Sequence, residues 1–320
     1  MASTQAGKPP FGPGAARKRP RETEDPLNLF LYHPLAASLA RSLQPTGVSP
    51  NAVSVAGMFC IWSAAACYFL LPWPQSALFG LCLHMLWHVV DGADGDLARL
   101  TGRSSPTGEL VDGVCDYAGH SLLYVALAAM TDDVIGLWAW PVAALAAASH
   151  AAQANHAESQ RRTYLWLAYG VPWLKQARSA GAEVFTVSKG LTRIFSGPAR
   201  IYLWAANAMT PNIAALDAAV ADAATDPHRL KLIRRLVRRS SRCSLIFQKA
   251  IGSNPRTLIL GACMAFGSPL AFFLVQIFAL NVVLIVSVIH HGRVNRILAR
   301  KIGRGTTIDA DGEGALTIMR

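Results

Sequence analysis

The stretch "VVDGADGDLARL", residues 89–100, closes a largely apolar run with Asp91, Asp94, Asp96 and the cation of Arg99. The residues before it are ready to enter a lipid bilayer. Ionisable groups there are expensive to hold and mark function by default. Whether they lie in a membrane segment is a question for the whole composition.

Over 320 residues the chain is 52% apolar and only 15% charged, too greasy a balance for a soluble protein of this length. A multi-span membrane protein is the class that fits. The net charge of +11 would also suit a nucleic-acid binder, but basic residues accumulate in cytoplasmic loops and against anionic lipid as well. Their positions decide for the membrane. Cys60, Cys67, Cys82, Cys115, Cys243 and Cys263 show no C-x-x-C spacing and sit mostly in apolar segments, which implies neither a disulfide framework nor a zinc site. The start, "MASTQAGKPPFGPGAARKRPRETEDP", has no apolar core with a cleavage site behind it and reads as a basic cytosolic tail.

Outward from the opening stretch, apolar segments able to cross roughly 30 Å of hydrocarbon fall near 51–71, 75–99, 108–130, 135–156, 256–273 and 275–293. The turn between the last two falls near "GSP" or Phe272. The expected fold is an all-α integral membrane protein of six transmembrane helices. From Leu27 to Gln44, apolar residues at three and four spacing, with Arg41 at their edge, predict an interfacial amphipathic helix. Ser49 and Pro50 then supply a helix start. The expected organisation is a disordered tail over 1–26, the interfacial helix over 27–48, four spans over 49–156, a basic cytoplasmic connection over 157–255, two spans over 256–302 and a loose tail over 303–320.

The connections "LPWPQ" and "TDDV" and the break near Gly267 carry no Lys or Arg, whereas Arg99, Arg103, the 157–256 stretch and the end of the chain carry many. The positive-inside rule makes the second set cytoplasmic. Within the long connection, residues 228–250 place Leu230, Ile233, Leu236 and Val237 on one face with arginines around them. The preferred reading is a helix resting on anionic lipid headgroups. A protein partner is the competing reading, and no motif accompanies the charge to suggest nucleic acid.

With that topology Asp91 and Asp94, three apart, share a face at the cytoplasmic end of the second span. Asp112 and Asp116, four apart, share a face at the start of the third. Four carboxylates converging between membrane helices repel one another and are costly to desolvate. A pair of hard divalent cations, Mg2+ or Mn2+, resolves both problems and suits phosphoryl transfer.

Written out, the residues read D-x2-D-G-x2-A-R-x8-G-x3-D-x3-D: Asp91, Asp94, Gly95, Ala98, Arg99, Gly108, Asp112 and Asp116. This resembles the motif of the CDP-alcohol phosphotransferase family at every fixed position. The resemblance implies that Asp91, Asp94, Asp112 and Asp116 bind two metals, and that Asp116 is also the general base for an acceptor hydroxyl. It implies that Gly95, Ala98 and Gly108 admit the cytidine nucleotide while Arg99 holds its diphosphate. The reaction it implies is attack of an alcohol on the substituted phosphate, with CMP leaving. The expected donor is CDP-diacylglycerol; a soluble CDP-alcohol transferred to a lipid alcohol is the alternative. A homodimer in a bacterial inner membrane, its active site facing the cytoplasm, is implied too. Asp96 is not a motif position and is expected to be solvated or cap-like.

His84, His88 and His120 continue the acidic faces. Each can support a metal-bound carboxylate or relay a proton, or can be a buried histidine satisfied by a neighbouring helix. In family members with a phosphorylated acceptor, basic residues near the ends of the fourth and fifth spans bind its phosphate, which makes Arg161, Arg162 and Arg256 candidates. Boundary arginines are more often topology anchors, the preferred reading here. A non-catalytic scaffold or cation transporter would also keep acids in a membrane, but gives no reason for Gly95, Ala98, Arg99 and Gly108 at these spacings.

Overall fold

The computed structural model describes residues 20–171, 208–210 and 212–303. Most of the expected first tail and nearly all of the last lie outside the described residues. Residues 20–26 do not extend that tail: Arg21–Thr23 is a 3-10 turn, and Thr23 and Glu24 are buried. Glu24 accepts from Asn28, and Asp25 accepts from Asn254, which gives this acidic stretch partners the sequence did not reveal.

Among the described residues every regular element is helical. In chain order they are α1 His33–Leu43, α2 Pro50–Leu70, α3 Gln75–Leu100, α4 Pro106–Ile135, α5 Ala139–Tyr169, α6 Ile213–Asp222, α7 Pro227–Ser240, α8 Arg242–Ala250, α9 Ser253–Ala265, α10 Pro269–Leu274 and α11 Leu280–Gly303. Among the described residues, four segments have the length and apolarity to cross a membrane: Pro50–Leu70, Gln75–Leu100, Thr107–Tyr169 and Pro269–Ile302. The protein is an integral membrane protein.

The chain divides into two compact units, Met1–Gln153 with Ile251–Asn281, and Ala154–Ala250 with Val282–Arg320. In the first, α2 starts as the sequence predicts: the Ser49 hydroxyl accepts from the Ala52 amide at 3.2 Å, with Pro50 in the first turn. Between lipid-soaked helices the water-driven hydrophobic effect is absent, so close packing of small residues must hold them together. A Cβ at Gly57 would rest 3.5 Å from the Trp87 ring, one at Gly92 would lie 3.1 Å from Ala36 of α1, and one at Gly80 would collide with the Tyr68 ring. α1 thus lies on α3, burying Ala36 and Ala40 with Val90, Ala93 and Leu97, while Phe30 and Leu35 stay exposed. A larger core joins Ile61, Tyr68, Leu127, Leu260 and Phe273.

The break between the last two expected spans falls at "GSP", and the boundary expected at residues 273–275 is corrected to Phe266–Ser268. Gly267 takes a left-handed φ of 65°, its amide donates to the Met264 carbonyl, and the Ser268 amide donates to that of Cys263. That is a Schellman stop, and Ser268 at once caps α10. Near Phe272 the chain is helical, with a π turn over Val275–Ala279.

A second difference concerns α5, which runs through the expected end at residue 156 to Tyr169. Its polar residues find buried partners. In the first unit the Gln153 amide donates to Asn281 at 2.8 Å; in the second, His156 and Gln160 share the Ser287 hydroxyl at 2.9 and 3.1 Å.

The second unit has its own core of Tyr164, Leu167, Leu216, Val220, Ile233, Val237, Leu245 and Leu298. Ile233 and Val237 of α7 are buried there, with Leu230 and Leu236 packed against them. The expectation that this apolar face rests on lipid is therefore overturned. α7 spends it on its own unit and leaves Lys231, Arg235, Arg238 and Arg239 exposed.

Candidate active site

The acidic residues sit on a helical hairpin whose turn is built to be short. At the end of α3 the Arg103 amide donates to the Ala98 carbonyl at 2.9 Å and that of Gly102 to Arg99 at 3.4 Å, with Gly102 at φ 67°. This second Schellman stop turns the chain within five residues. Ser105 then caps α4, its hydroxyl accepting from the Gly108 amide at 3.0 Å, and Glu109 adds negative charge to the first turn.

The hairpin brings Asp91, Asp112 and Asp116 together, with one carboxylate oxygen of each lying within 4.8 Å of the others. At that spacing two unit charges repel by roughly 3 kcal/mol in a partly buried setting of effective dielectric about 20. Three such groups call for a cation. Asp94 stands beside Asp112 within hydrogen-bond reach, is buried, and accepts from the Ser54 hydroxyl of α2 at 2.5 Å. Asp116 lies within hydrogen-bond reach of the Trp87 indole and of Asp91. The donor set is all oxygen, which fits a hard divalent cation such as Mg2+ or Mn2+.

Arg99 reaches back over Gly95: a Cβ there would lie 3.4 Å from its Nη1. Its Nη2 donates to Asp96 at 2.5 Å. Asp96 is thus an ion-pair partner three residues from Arg99, not merely solvated, and that spacing was legible in the sequence. Gly108 faces the Asn51 side chain, 3.6 Å from where a Cβ would stand. Ala98 lies on the same stretch, half-buried.

The histidines find partners on their own or a neighbouring helix. His88 bonds Thr257 through Nε2 at 2.8 Å, and His84 approaches the same hydroxyl at 3.3 Å. His120 bonds the backbone carbonyl of Asp116 at 2.9 Å, not its carboxylate. Its ring packs edge-on against Trp87 at 4.8 Å. Arg161 and Arg162 both pair with Glu158, as boundary residues can. Arg256 does not fit the anchor reading: it is 4% exposed and donates to the Ile251 carbonyl at 2.8 Å. Among the described residues its Nε has no hydrogen-bond partner, and it lines a small cavity with His84, His120, Tyr124, His150 and Thr257.

Sequence reasoning missed Ser54, Trp87 and Thr257. Ser54 and Thr257 are lone hydroxyls in apolar helices, a weak signal. Trp87 gives none, because an indole suits a membrane helix with or without a partner.

Residues 47–177 match the family model for CDP-alcohol phosphatidyltransferase, a span that contains α2, the whole acidic hairpin and α5. Neither the curated proteins nor the solved structures returned a match to the chain. That stretch is similar to the CDP-alcohol phosphatidyltransferase family, whose members are metal-dependent phosphotransferases for substituted phosphate groups.

Proposed function

We propose that this enzyme transfers a phosphatidyl group from CDP-diacylglycerol to a hydroxylated acceptor, releasing CMP, with two divalent cations held by Asp91, Asp94, Asp112 and Asp116. The observation that carries this is the convergence of Asp91, Asp112 and Asp116 within 4.8 Å on membrane-length helices, with Asp94 alongside. When bound, the cations neutralise the phosphate oxygens and align the entering and leaving groups. Asp116 takes the proton of the acceptor hydroxyl, and Trp87 holds its carboxylate in place for that task. Gly95, Ala98 and Gly108 leave room for the nucleotide against the helix backbones. Arg99, freed from Asp96, clamps the diphosphate. Arg256, whose buried Nε has no partner among the described residues, supports an acceptor that itself carries an anionic group.

Six passages fit the membrane reading. Gly136 breaks Thr107–Tyr169, and Leu137 and Trp138 beside it are strongly exposed, which supports a turn at the bilayer surface and two passages in that segment. α9, though only 13 residues long, makes the fifth. α1 lies at the interface with Phe30 and Leu35 toward lipid. The cation-rich outer face of α7 meets anionic headgroups at the cytoplasmic side of a bacterial inner membrane. The family resemblance adds a homodimer.

The test is CMP release by purified protein in lipid nanodiscs with Mg2+ or Mn2+, comparing CDP-diacylglycerol, CDP-choline and CDP-ethanolamine against phosphorylated and unphosphorylated alcohols. Release with CDP-diacylglycerol and a phosphorylated alcohol is expected. Release only with a soluble CDP-alcohol and diacylglycerol overturns the assignment of donor, and no release with any pair overturns the assignment of activity.

A further inference from the structure

We infer that Ser54, on α2 and outside the acidic motif, is a positioning residue that fixes the Asp94 carboxylate for metal binding, so that α2 is a third wall of the site. The inference rests on the metal reading of the hairpin given above.

The geometry starts with a choice open to one proton. A serine inside a helix ordinarily returns its hydroxyl to the carbonyl four residues back. Here that carbonyl, Pro50, lies 3.4 Å from the Ser54 Oγ, while the Asp94 Oδ2 lies at 2.5 Å. The hydroxyl has one proton to donate, and the nearer, charged acceptor takes it. A hydroxyl–carboxylate bond of this length falls in the strong, charge-assisted class. Both residues are buried, at 6% and 5% exposure, so water does not compete for either partner.

Close packing of α2 on α3 makes the reach possible. Val53 is packed with Val90, Ala93 and Leu97, and Gly57 faces Trp87 and Val90, 3.5 and 3.7 Å from where a Cβ would stand. Ser54 sits between these two contacts on a rigid stretch of helix. Its hydroxyl therefore arrives at a fixed point, and the Asp94 carboxylate is turned about that point toward Asp112. Partners of metal-binding carboxylates set ligand orientation, and losing one typically weakens metal affinity by about 10- to 100-fold.

The experiment uses full-length protein in nanodiscs and measures Mn2+ binding by electron paramagnetic resonance of free Mn2+, alongside CMP release. Three variants are compared with the unaltered protein: Ser54→Ala, which removes the donor; Ser54→Cys, which keeps the packing but weakens the donor; and Ser54→Thr, which keeps it. The expected result is Mn2+ affinity about 10- to 100-fold weaker in Ser54→Ala and Ser54→Cys. Their kcat should fall at limiting metal, the KM for the CDP-linked donor should stay unchanged, and Ser54→Thr should restore both properties. Mn2+ affinity in Ser54→Ala and Ser54→Cys equal to that of the unaltered protein overturns the positioning role while leaving the metal site standing. An unaltered protein that binds no Mn2+ overturns the metal reading on which the inference rests.

Discussion

The hairpin of α3 and α4 and the helix α7 both carry dense charge, yet they handle it in opposite ways. On the hairpin three carboxylates are pressed within 4.8 Å of one another on helices otherwise fit for lipid. On α7 Lys231, Arg235, Arg238 and Arg239 are exposed, and the apolar side is buried in the unit's own core. Like charges held close together in a partly buried setting are retained for something they bind. Charge on a solvated face can be kept for solubility, orientation or headgroup contact and costs little. The same residue classes therefore carry different weight in the two regions.

The sharpest way to break that contrast is to neutralise one acid. Asp112→Asn or Asp91→Asn should lower CMP release by about two orders of magnitude or more, the loss of roughly 3 kcal/mol of transition-state stabilisation, with helical content by circular dichroism unchanged. Near-normal turnover in either variant removes the hairpin's special status. Next in size is the packing that carries the hairpin. Gly80→Val should drive a side chain into Tyr68 and destabilise the protein by about 1–3 kcal/mol, read as a lower midpoint of thermal unfolding in detergent. A smaller effect is expected at the hairpin turn, where Gly102→Ala places a Cβ on a left-handed residue at a cost of about 1 kcal/mol. Smallest of all, Arg235→Glu on α7 should shift stability by no more than about 0.5 kcal/mol and leave CMP release in neutral-lipid nanodiscs unchanged. A large loss of activity there would put α7 in the same class as the hairpin.

Much of the site was legible in the sequence because its chemistry is local. Asp91 with Asp94, and Asp112 with Asp116, share helix faces by spacing alone, and a five-residue connection leaves the two helices no choice but to run side by side. The start of α2 at Ser49 was equally plain, since a cap hydroxyl acts within a turn of itself, whereas the stop at "GSP" was one of two positions the apolar run allowed. What stayed hidden depends on contacts across many residues. Ser54 meets Asp94 forty positions away, and Thr257 meets His88 across 169. No spacing rule reaches that far. The partners of the polar residues on α5 were hidden for a related reason. Gln153, His156 and Gln160 look like the polar end of a span, and only their buried partners on α11 and the segment before it reveal them as interior. The apolar face of α7 had the same ambiguity, because amphipathicity says that a face will be buried but not against what.

The central claim is that the acidic hairpin works through bound divalent cations to release CMP. The most direct measurement is CMP release from CDP-diacylglycerol by nanodisc-embedded protein stripped with a chelator and then titrated with Mg2+ or Mn2+. No release is expected from the stripped enzyme, with saturable recovery on adding either cation and no recovery in Asp112→Asn. Release that survives chelation, or that returns equally in Asp112→Asn, would contradict the claim.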